Sequence, residues 1–296
     1  MRDLPDSLEL LSSPDWTDYE LLDSGAGQKL ERFGEFRCVR PEQQATWHRT
    51  LPDREWQQVQ GVFESGAESG RWKFSGKPPQ RWQMQYRSLK FLAEPTPFRH
   101  MGVFPEQACH WDWAADLIRS AGRPIRVLSL FGYTGLFALS AAAAGADVTH
   151  VDASKTVNVW AQENQILSGL DNAPVRWITD DALKFVRREA RRGSHYDAIM
   201  IDPPKFGRGP KGQVWKIEVD LPPLLEDCRA IMTRRPLFVI LGCYAIRASA
   251  LSLYYPLRQL VGNFGGQMSA GEVTVSETRG TRSLSLALFA RWKADS

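Results

Sequence analysis

Hydrophobic and polar residues follow two different patterns along this chain, and the change falls near residue 105. Before that point, short segments alternate with a period of two and are separated by turn residues, which is typical of β-strands. The predicted strands are Tyr19–Asp23, Lys29–Val39 with a break at Gly34, Arg71–Phe74 and one long strand over Trp82–Ala93. We therefore predict a small, mostly β domain over residues 1–104.

Beyond residue 105, short apolar segments alternate with segments of helical period. The predicted strands are Ile125–Phe131, Asp147–Val151, Val175–Thr179, Tyr196–Ile201 and Leu237–Leu241. The predicted helices are Pro105–Ala121, Thr134–Ala144, Lys155–Ser168, Asp181–Arg192, Asp220–Thr233 and Ala248–Val261. Such alternation builds a parallel sheet with helices on both faces. A final pair of strands, Glu272–Glu277 and Ser283–Trp292, predicts an antiparallel end to this α/β domain of residues 105–296.

The composition narrows the class of protein further. Of the 296 residues, 43% are hydrophobic and 24% are charged, as in soluble globular proteins. No apolar run reaches the roughly 18–20 residues of a membrane span, and the first residues, MRDLPDSLEL, carry acids where a signal peptide carries a basic and then an apolar stretch. The four cysteines share no CxxC spacing, so we predict neither a disulfide framework nor a metal site. The expectation is a cytoplasmic protein.

The first strand-to-helix junction of the α/β half has the residues of a nucleoside-binding turn. In the segment SLFGYTG, the strand leads into Gly132, Tyr133, Thr134 and Gly135. Glycines let a backbone approach a ligand, and the following helix offers free N–H groups at its start. Asp152 follows the next strand, where a carboxylate can accept hydrogen bonds from both ribose hydroxyls. Because the dinucleotide pattern GxGxxG is absent, these residues predict a nucleoside-containing cofactor other than a nicotinamide.

Two further acids follow the later strands of the predicted sheet. Asp181 can accept a hydrogen bond from an adenine amino group, cap the next helix, or do both. Asp202 precedes Pro203 and Pro204, which stiffen the backbone at the carboxyl end of a central strand. Ligands bind at that edge in open α/β sheets, so Asp202 is predicted to face a substrate.

Taken together, Ser129–Gly135, Asp152, Asp181 and Asp202–Phe206 resemble the motifs of class I S-adenosylmethionine-dependent methyltransferases. More narrowly, they resemble the bacterial large-subunit ribosomal RNA cytosine-5 methyltransferases, in which NLFxYTG and DPPKF recur. The resemblance covers about residues 98–292 of this sequence. It implies a mostly parallel seven-stranded sheet with an antiparallel last strand, and S-adenosyl-L-methionine as the cofactor.

The resemblance also implies roles for individual residues. Methionine is expected near Phe131–Gly135, ribose on Asp152 and adenine on Asp181. The target is expected to face Asp202. The predicted cofactor site further includes Ser154 and Pro203, and Lys205 is predicted to hold the base or the backbone of the substrate.

Cys243 is the candidate nucleophile. It lies just past the fifth predicted strand, in FVILGCYAI. Carbon 5 of a pyrimidine is a poor nucleophile, so its methylation needs a thiolate that adds at carbon 6. The resembling family places that cysteine in a Ser-Cys-Ser turn, which Gly242–Tyr244 matches only in part. Cys243 is therefore either the nucleophile or a buried, inert cysteine.

Charge favours an RNA substrate without requiring one. The net charge is +3, made up of −1 in residues 1–105 and +4 in residues 106–296. Basic residues that can hold phosphates follow the Asp-Pro-Pro segment and form a stripe on the predicted helix 181–192. They are Lys205, Arg208, Lys211 and Lys216 in the first group, and Lys184, Arg187, Arg188, Arg191 and Arg192 in the second. A helical stripe of this kind can equally be a solvated face.

The leading hypothesis is a methyltransferase that acts on carbon 5 of cytosine in ribosomal RNA. Two features depart from the resembling family: residues 1–100 fit no PUA module, and Phe104–Ala108 lacks the Arg of an FxDQR segment. The first alternative is therefore a non-covalent methyltransferase, acting on a nitrogen of RNA or on a substrate that is not a nucleic acid. The second is a cofactor-binding, RNA-associated protein without turnover.

Overall fold

The computed structural model describes residues 5–13, 16–66, 70–244, 248–262 and 264–295. Backbone contacts divide the chain into two compact units. The α/β unit comprises Met1–Leu11, Cys109–Val273 and Leu286–Ser296, and the β unit comprises Ser12–Ala108 and Thr274–Ser285. A short C-terminal segment thus groups with the N-terminal strands, whereas the division into domains 1–104 and 105–296 stays a prediction.

The N-terminal part of the chain is built from short strands, whose pairings are antiparallel except for the parallel pair Phe36–Pro41 and Gly61–Glu64. In chain order the elements are β1 (Glu9–Ser12), β2 (Tyr19–Gly25), β3 (Gln28–Phe33), β4 (Phe36–Pro41), α1 (Asp53–Gln57), β5 (Gly61–Glu64), β6 (Arg71–Phe74), β7 (Trp82–Tyr86) and β8 (Leu89–Ala93). β2 to β6 form one sheet in that order, and β7 and β8 form a separate hairpin. The predicted break at Gly34 is confirmed, because it separates β3 from β4.

The prediction of one long strand over Trp82–Ala93 was wrong. The segment folds back on itself, and Tyr86 pairs with Leu89 across a turn in which Arg87 has a positive φ of 50°. The buried side chains change from even to odd positions at this turn: Met84 precedes it and Phe91 follows it. A continuous strand keeps one parity on its buried face, so the shift in the apolar positions is the signal of the hairpin.

Within the β unit, buried ion pairs join the segment Thr274–Ser285 to the N-terminal strands. Arg282 donates to the buried carboxylates of Asp23, at 2.8 Å, and Glu277, at 3.1 Å. Glu277 also accepts a hydrogen bond from the hydroxyl of Ser24 at 2.6 Å. Because a buried carboxylate is costly without partners, this network holds the segment against the N-terminal strands.

The remainder of the chain alternates between strands and helices, as predicted. After a single 3-10 turn at Pro105–Gln107, the elements are α2 (Ala108–Ser120), β9 (Arg126–Leu130), α3 (Leu136–Ala143), β10 (Asp147–Asp152), α4 (Lys155–Leu167), β11 (Val175–Thr179), α5 (Ala182–Arg192), β12 (Ala198–Ile201), β13 (Phe206–Arg208), β14 (Val214–Lys216), α6 (Ile217–Ala230), β15 (Phe238–Tyr244), α7 (Leu251–Val261), β16 (Gln267–Ser276) and β17 (Ser283–Lys293). The large sheet has the order β1-β16-β17-β15-β12-β9-β10-β11. It confirms the predicted mostly parallel sheet, to which β1 adds an eighth strand at one edge.

Strand register brings the carboxyl ends of the central strands to one edge of this sheet. Leu130 of β9 pairs with Val151 of β10 and with Ile201 of β12, and both strand pairings are parallel. Asp152 at the end of β10 pairs with Thr179 of β11. β15 is parallel to β12 and antiparallel to β17. The segments that follow β9, β10, β11 and β12 therefore meet at this edge, where an α/β sheet binds its ligands.

Candidate active site

The loop after β9 has an unusual backbone. Phe131 and Tyr133 have positive φ values of 56° and 50°, and Gly135, which begins α3, has a φ of 83°. A residue other than glycine in this left-handed region costs about 1–3 kcal/mol and persists only where its surroundings hold it there. Such strain concentrates at ligand sites, which marks Phe131–Gly135 as a candidate binding loop.

Three hydrogen bonds hold the loop in this conformation. The amide of Tyr133 donates to Oδ2 of Asp152 at 3.0 Å, and the amide of Gly132 donates to the carbonyl of Val151 at 3.2 Å. From α4, Nδ2 of Asn164 donates to the carbonyl of Thr134 at 3.0 Å. The loop is therefore anchored both to the end of β10 and to the neighbouring helix.

Both glycines of the loop are required by close packing. A Cβ atom on Gly132 would lie 2.3 Å from Cε1 of His150, and one on Gly135 would lie 2.8 Å from the ring of Trp177. His150 is fully buried, and burial lowers the pKa of its imidazole to about 3, so the ring is neutral. Our sequence analysis missed both aromatic rings, because each lies within a strand and far from the loop in the sequence.

Gly132→Ala is expected to lower the free energy of unfolding by about 1–3 kcal/mol, because the added methyl group overlaps the buried ring of His150. Urea denaturation measures this change. Gly76→Ala is the matched control, since a Cβ atom there meets no atom within 4 Å. Equal stability of the two variants would contradict this packing argument.

The carboxylate of Asp152 is a hydrogen-bond acceptor at the end of β10. It accepts from the amides of Tyr133, at 3.0 Å, and Ser154, at 2.9 Å. Burial raises the pKa of this carboxyl, and hydrogen bonds from backbone amides, chiefly those of Ser154 and Tyr133, oppose that effect. Each oxygen retains a further lone pair, so the carboxylate can still accept from two hydroxyl groups. The side chain of Ser154 itself caps α4 by accepting from the amide of Val157 at 3.3 Å.

Asp181 begins α5. Its Oδ1 accepts from the amide of Lys184 at 2.9 Å, so the predicted capping role is confirmed. Its Oδ2 would lie 3.2 Å from a Cβ atom on Gly209, which brings the loop between β13 and β14 close to the carboxylate. The predicted contact with adenine stays a prediction.

Asn158 of α4 joins the ends of β10 and β11. Its Nδ2 donates to the hydroxyl of Thr179 at 2.9 Å and to the carbonyl of Asp152 at 3.2 Å.

Trp215 joins the loop after β9 to the Asp-Pro-Pro turn. Its Nε1 donates to the carbonyl of Pro204 at 2.8 Å, and its ring packs against Phe131 with centroids 4.8 Å apart. The ring is buried, while Asp202 is only half-buried and Lys205 is exposed. Our sequence analysis did not select Trp215. Its signal is a lone aromatic residue in the short, mostly polar segment Lys211–Lys216.

Cys243 lies inside β15, not after it. The strand continues to Tyr244 because it pairs with β17, and Cys243 is opposite Leu288. Its Sγ lies 3.7 Å from the carbonyl oxygen of Pro203, so the fold brings the predicted nucleophile to the predicted target turn. The side chain is fully buried, and burial together with the charges of Asp202 and Glu218 raises the pKa of the thiol to about 12.

Two kinds of feature are absent from the described residues. No α-helix in that part of the chain is both long enough and apolar enough to span a membrane. Within the same residues, no group of three or more His, Cys, Asp and Glu side chains is arranged to bind a metal ion.

Comparisons with known proteins agree with this geometry. The family model described as S-adenosylmethionine-dependent methyltransferase matches residues 16–245. A crystal structure of a SAM-dependent methyltransferase from Agrobacterium tumefaciens is 46% identical, with a TM-score of 0.93 over 97% of this chain and 94% of that one. A structure from Streptococcus mutans, assigned to the same kind of enzyme, is 16% identical with a TM-score of 0.71 over 94% of this chain and 76% of that one, which shows the fold alone.

The curated relatives match over shorter segments. Ribosomal RNA large subunit methyltransferase I of Klebsiella pneumoniae (strain 342) is 43% identical over 82 residues, which are 27% of this chain and 20% of that protein. Ribosomal RNA large subunit methyltransferase K/L of Shewanella sp. (strain ANA-3) is 43% identical over 90 residues, which are 30% of this chain and 12% of that protein. The matched segments thus span at most a fifth of the length of these two relatives.

Proposed function

Because the chain belongs to the S-adenosylmethionine-dependent methyltransferase family, we propose that it methylates a base of ribosomal RNA, with S-adenosyl-L-methionine as the methyl donor. The observation that carries the proposal is the contact of Trp215 with both Phe131 and Pro204. It joins the candidate cofactor loop to the turn predicted to face the target. The names of the two curated relatives supply the substrate class. An enzyme family favours turnover over cofactor binding alone, and an rRNA substrate implies a cytoplasmic location.

The residues at the carboxyl edge fit the cofactor. Asp152 is half-buried and has acceptor capacity left for two hydroxyl groups of a ribose. The strained loop Phe131–Gly135 offers a close backbone approach for the methionine part, and Oδ2 of Asp181 is not used by the helix cap. We also assign Ser154 and Pro203 to this site. When bound, S-adenosyl-L-methionine supplies a methyl group on a positively charged sulfur.

Alignment is the main contribution of this chain to the reaction. Displacement at a methyl group needs the attacking atom, the carbon and the leaving sulfur in line at near-contact distance. The stiff turn of Asp202 and Pro203 holds a carboxylate that can accept from the edge of a base, and exposed Lys205 can hold the adjacent phosphate or base. A base must leave its stack to reach this edge.

The finer proposal is that the target is carbon 5 of cytosine. Sγ of Cys243, as the thiolate, forms a bond to carbon 6, and the electron pair displaced to carbon 5 takes the methyl group. The proton on carbon 5 then passes to a base, for which the carboxylate of Asp202 is available, and the electron pair left behind expels the thiolate. The position of Sγ, 3.7 Å from the carbonyl of Pro203, supports this proposal.

One observation favours a second candidate, the non-covalent methylation of a nitrogen in RNA. Cys243 is fully buried, and the pKa of about 12 leaves only about one thiol in 10⁵ ionised at neutral pH. An amino or ring nitrogen carries its own lone pair and needs no thiolate. Asp202 would then accept a hydrogen bond from the amino group and orient it.

The test of the function is methyl transfer to RNA from a strain that lacks this protein. We expect labelled methyl groups from S-adenosyl-L-methionine to enter large-subunit rRNA, because only RNA from that strain has the target unmodified. A filter assay measures incorporation, and mass mapping locates the methylated base. RNA from the parent strain is the matched control, and equal labelling of both RNAs would count against a specific rRNA target.

A further inference from the structure

The hairpin formed by β13 and β14 has one anchored face and one exposed face. On the anchored face, the ring of Trp215 is buried, and Gly207 approaches Pro204 so closely that a Cβ atom would lie 3.3 Å from the proline ring. Gly207 and Trp215 are opposite each other in the pairing. The hairpin is therefore fastened to the Asp-Pro-Pro turn through this face.

The exposed face carries two apolar and two basic side chains. Phe206 is 53% exposed and Val214 is 50% exposed, which is unusual for large apolar residues. Each is opposite a cation, because Phe206 pairs with Lys216 and Val214 pairs with Arg208. Side chains at alternate positions lie on the same side of a strand, so all four form one outer face.

The cations of this outer face are unpaired, unlike those of α5. Neither Arg208 nor Lys216 forms an ion pair with any described residue. On α5, by contrast, three of the four arginine side chains are paired with acids within 3.3 Å. These pairs are Arg187 with Asp227, Arg188 with Asp180 and Arg192 with Glu189. Three of the five cations of the helical stripe are thus neutralised by acids, whereas both cations of the hairpin keep their charge.

We propose that the outer face of the hairpin, formed by Phe206, Arg208, Val214 and Lys216, binds the single-stranded RNA that flanks the target base. Bases stack on exposed aromatic rings, and unpaired cations bind the phosphates between them. Each strand of the hairpin places one apolar side chain and one cation on this face, and a single strand of RNA likewise alternates bases with phosphates. The inference deepens the proposed function and rests on it for the nature of the substrate.

The contact of Trp215 with Pro204 holds the outer face of the hairpin next to the Asp-Pro-Pro turn. A strand held on the outer face enters the site beside Asp202, because the hairpin begins at Phe206, two residues after the Asp-Pro-Pro turn. An acidic peptide is the other polymer that two cations can attract, but it offers no base to Phe206. Binding of RNA therefore depends on the ring of Phe206, whereas binding of an acidic peptide does not.

The experiment measures binding of a fluorescein-labelled single-stranded 12-nucleotide RNA by anisotropy. The doubly substituted protein Arg208→Gln/Lys216→Gln is expected to bind about tenfold more weakly than the unaltered protein. The slope of log K against log salt concentration is expected to fall by about 1.4, since each lost phosphate contact removes about 0.7. Phe206→Ala is expected to weaken binding about tenfold with an unchanged slope, and to have no effect on an RNA with abasic positions.

Arg187→Gln/Arg192→Gln is the matched control, because it removes the same charge from cations that are already paired. We expect its affinity to remain within about twofold of the unaltered protein. Equal weakening by the control would overturn the inference, as would hairpin variants that bind like the unaltered protein or equal binding of poly-L-glutamate. Calorimetry with S-adenosyl-L-methionine and the methyl-transfer assay report on the proposed function separately, since neither measures binding of the labelled RNA.

Discussion

Asp152→Asn is expected to weaken the binding of S-adenosyl-L-methionine about 100-fold, because the amide cannot replace either role of the carboxylate. The carboxylate holds the strained loop through the amide of Tyr133 and is proposed to accept from the ribose hydroxyls. In asparagine, an NH₂ group replaces one of the two carboxylate oxygens. This donor would then face another donor, the amide of Tyr133 or that of Ser154. Isothermal titration calorimetry measures the affinity.

The pH dependence of this affinity provides a second measurement. Burial raises the pKa of Asp152, and only the ionised carboxylate accepts from both hydroxyls. Affinity is therefore expected to fall as the pH is lowered through this raised pKa, at a higher pH than for an ordinary aspartate. The stability of the ligand-free protein responds in the opposite sense: the contribution of Asp152 is present at low pH and is lost as the pH rises through the raised pKa.

Asp147→Asn is the matched control for Asp152. The two residues are the first and the last of β10, and Asp147 is exposed at the opposite end of the strand. We expect this variant to bind the cofactor with unchanged affinity. If Asp152→Asn also bound it unchanged while remaining folded, the assignment of the ribose to Asp152 would be wrong.

Cys243→Ala is expected to lower turnover by about 1,000-fold or more while leaving cofactor affinity near normal. The reason is that the finer proposal requires a covalent bond from Sγ to carbon 6 of cytosine, which alanine cannot form. The measurement is the initial rate of methyl transfer to the rRNA of the deficient strain. A transcript with 5-fluorocytosine is also expected to trap a stable adduct with the unaltered protein and none with the variant.

The pH profile distinguishes the two candidates for the target atom. A thiol whose pKa is raised to about 12 is mostly protonated, and its ionised fraction increases tenfold per pH unit below that value. The covalent route therefore predicts a rate that rises with pH between about pH 7 and about pH 9. The nitrogen target predicts no rise from ionisation of this thiol, because its methylation needs no thiolate.

Cys228→Ala controls for the loss of a buried thiol. Cys228 lies on α6, is fully buried and belongs to the same hydrophobic core as Cys243. Its removal creates a comparable cavity, so its effect on turnover measures destabilisation alone. Full activity of Cys243→Ala, with no trapped adduct, would remove the covalent scheme and leave methylation of a nitrogen.

The sequence by itself determined the order of the α/β elements and the residues that meet at one edge of the sheet. Apolar strands that alternate with amphipathic helices build a parallel sheet with helices on its faces. In such a sheet, the loops that follow the strands meet at one edge. The sequence alone therefore predicts that Asp152, Asp181 and Asp202 lie at the same edge of the sheet. The hairpin at Trp82–Ala93 was missed although its signal, a change of parity, is local.

Only the tertiary structure decided the conformation and electrostatic state of these residues. The left-handed backbone at Tyr133 depends on a bond to Asp152, 19 residues away, and the raised pKa of Cys243 depends on burial and on the charges of Asp202 and Glu218. The pairing of the α5 arginines likewise depends in part on an acid in α6, Asp227. Burial and ion pairing are sums over neighbours in space, and residues distant in sequence become neighbours only when the sheet forms.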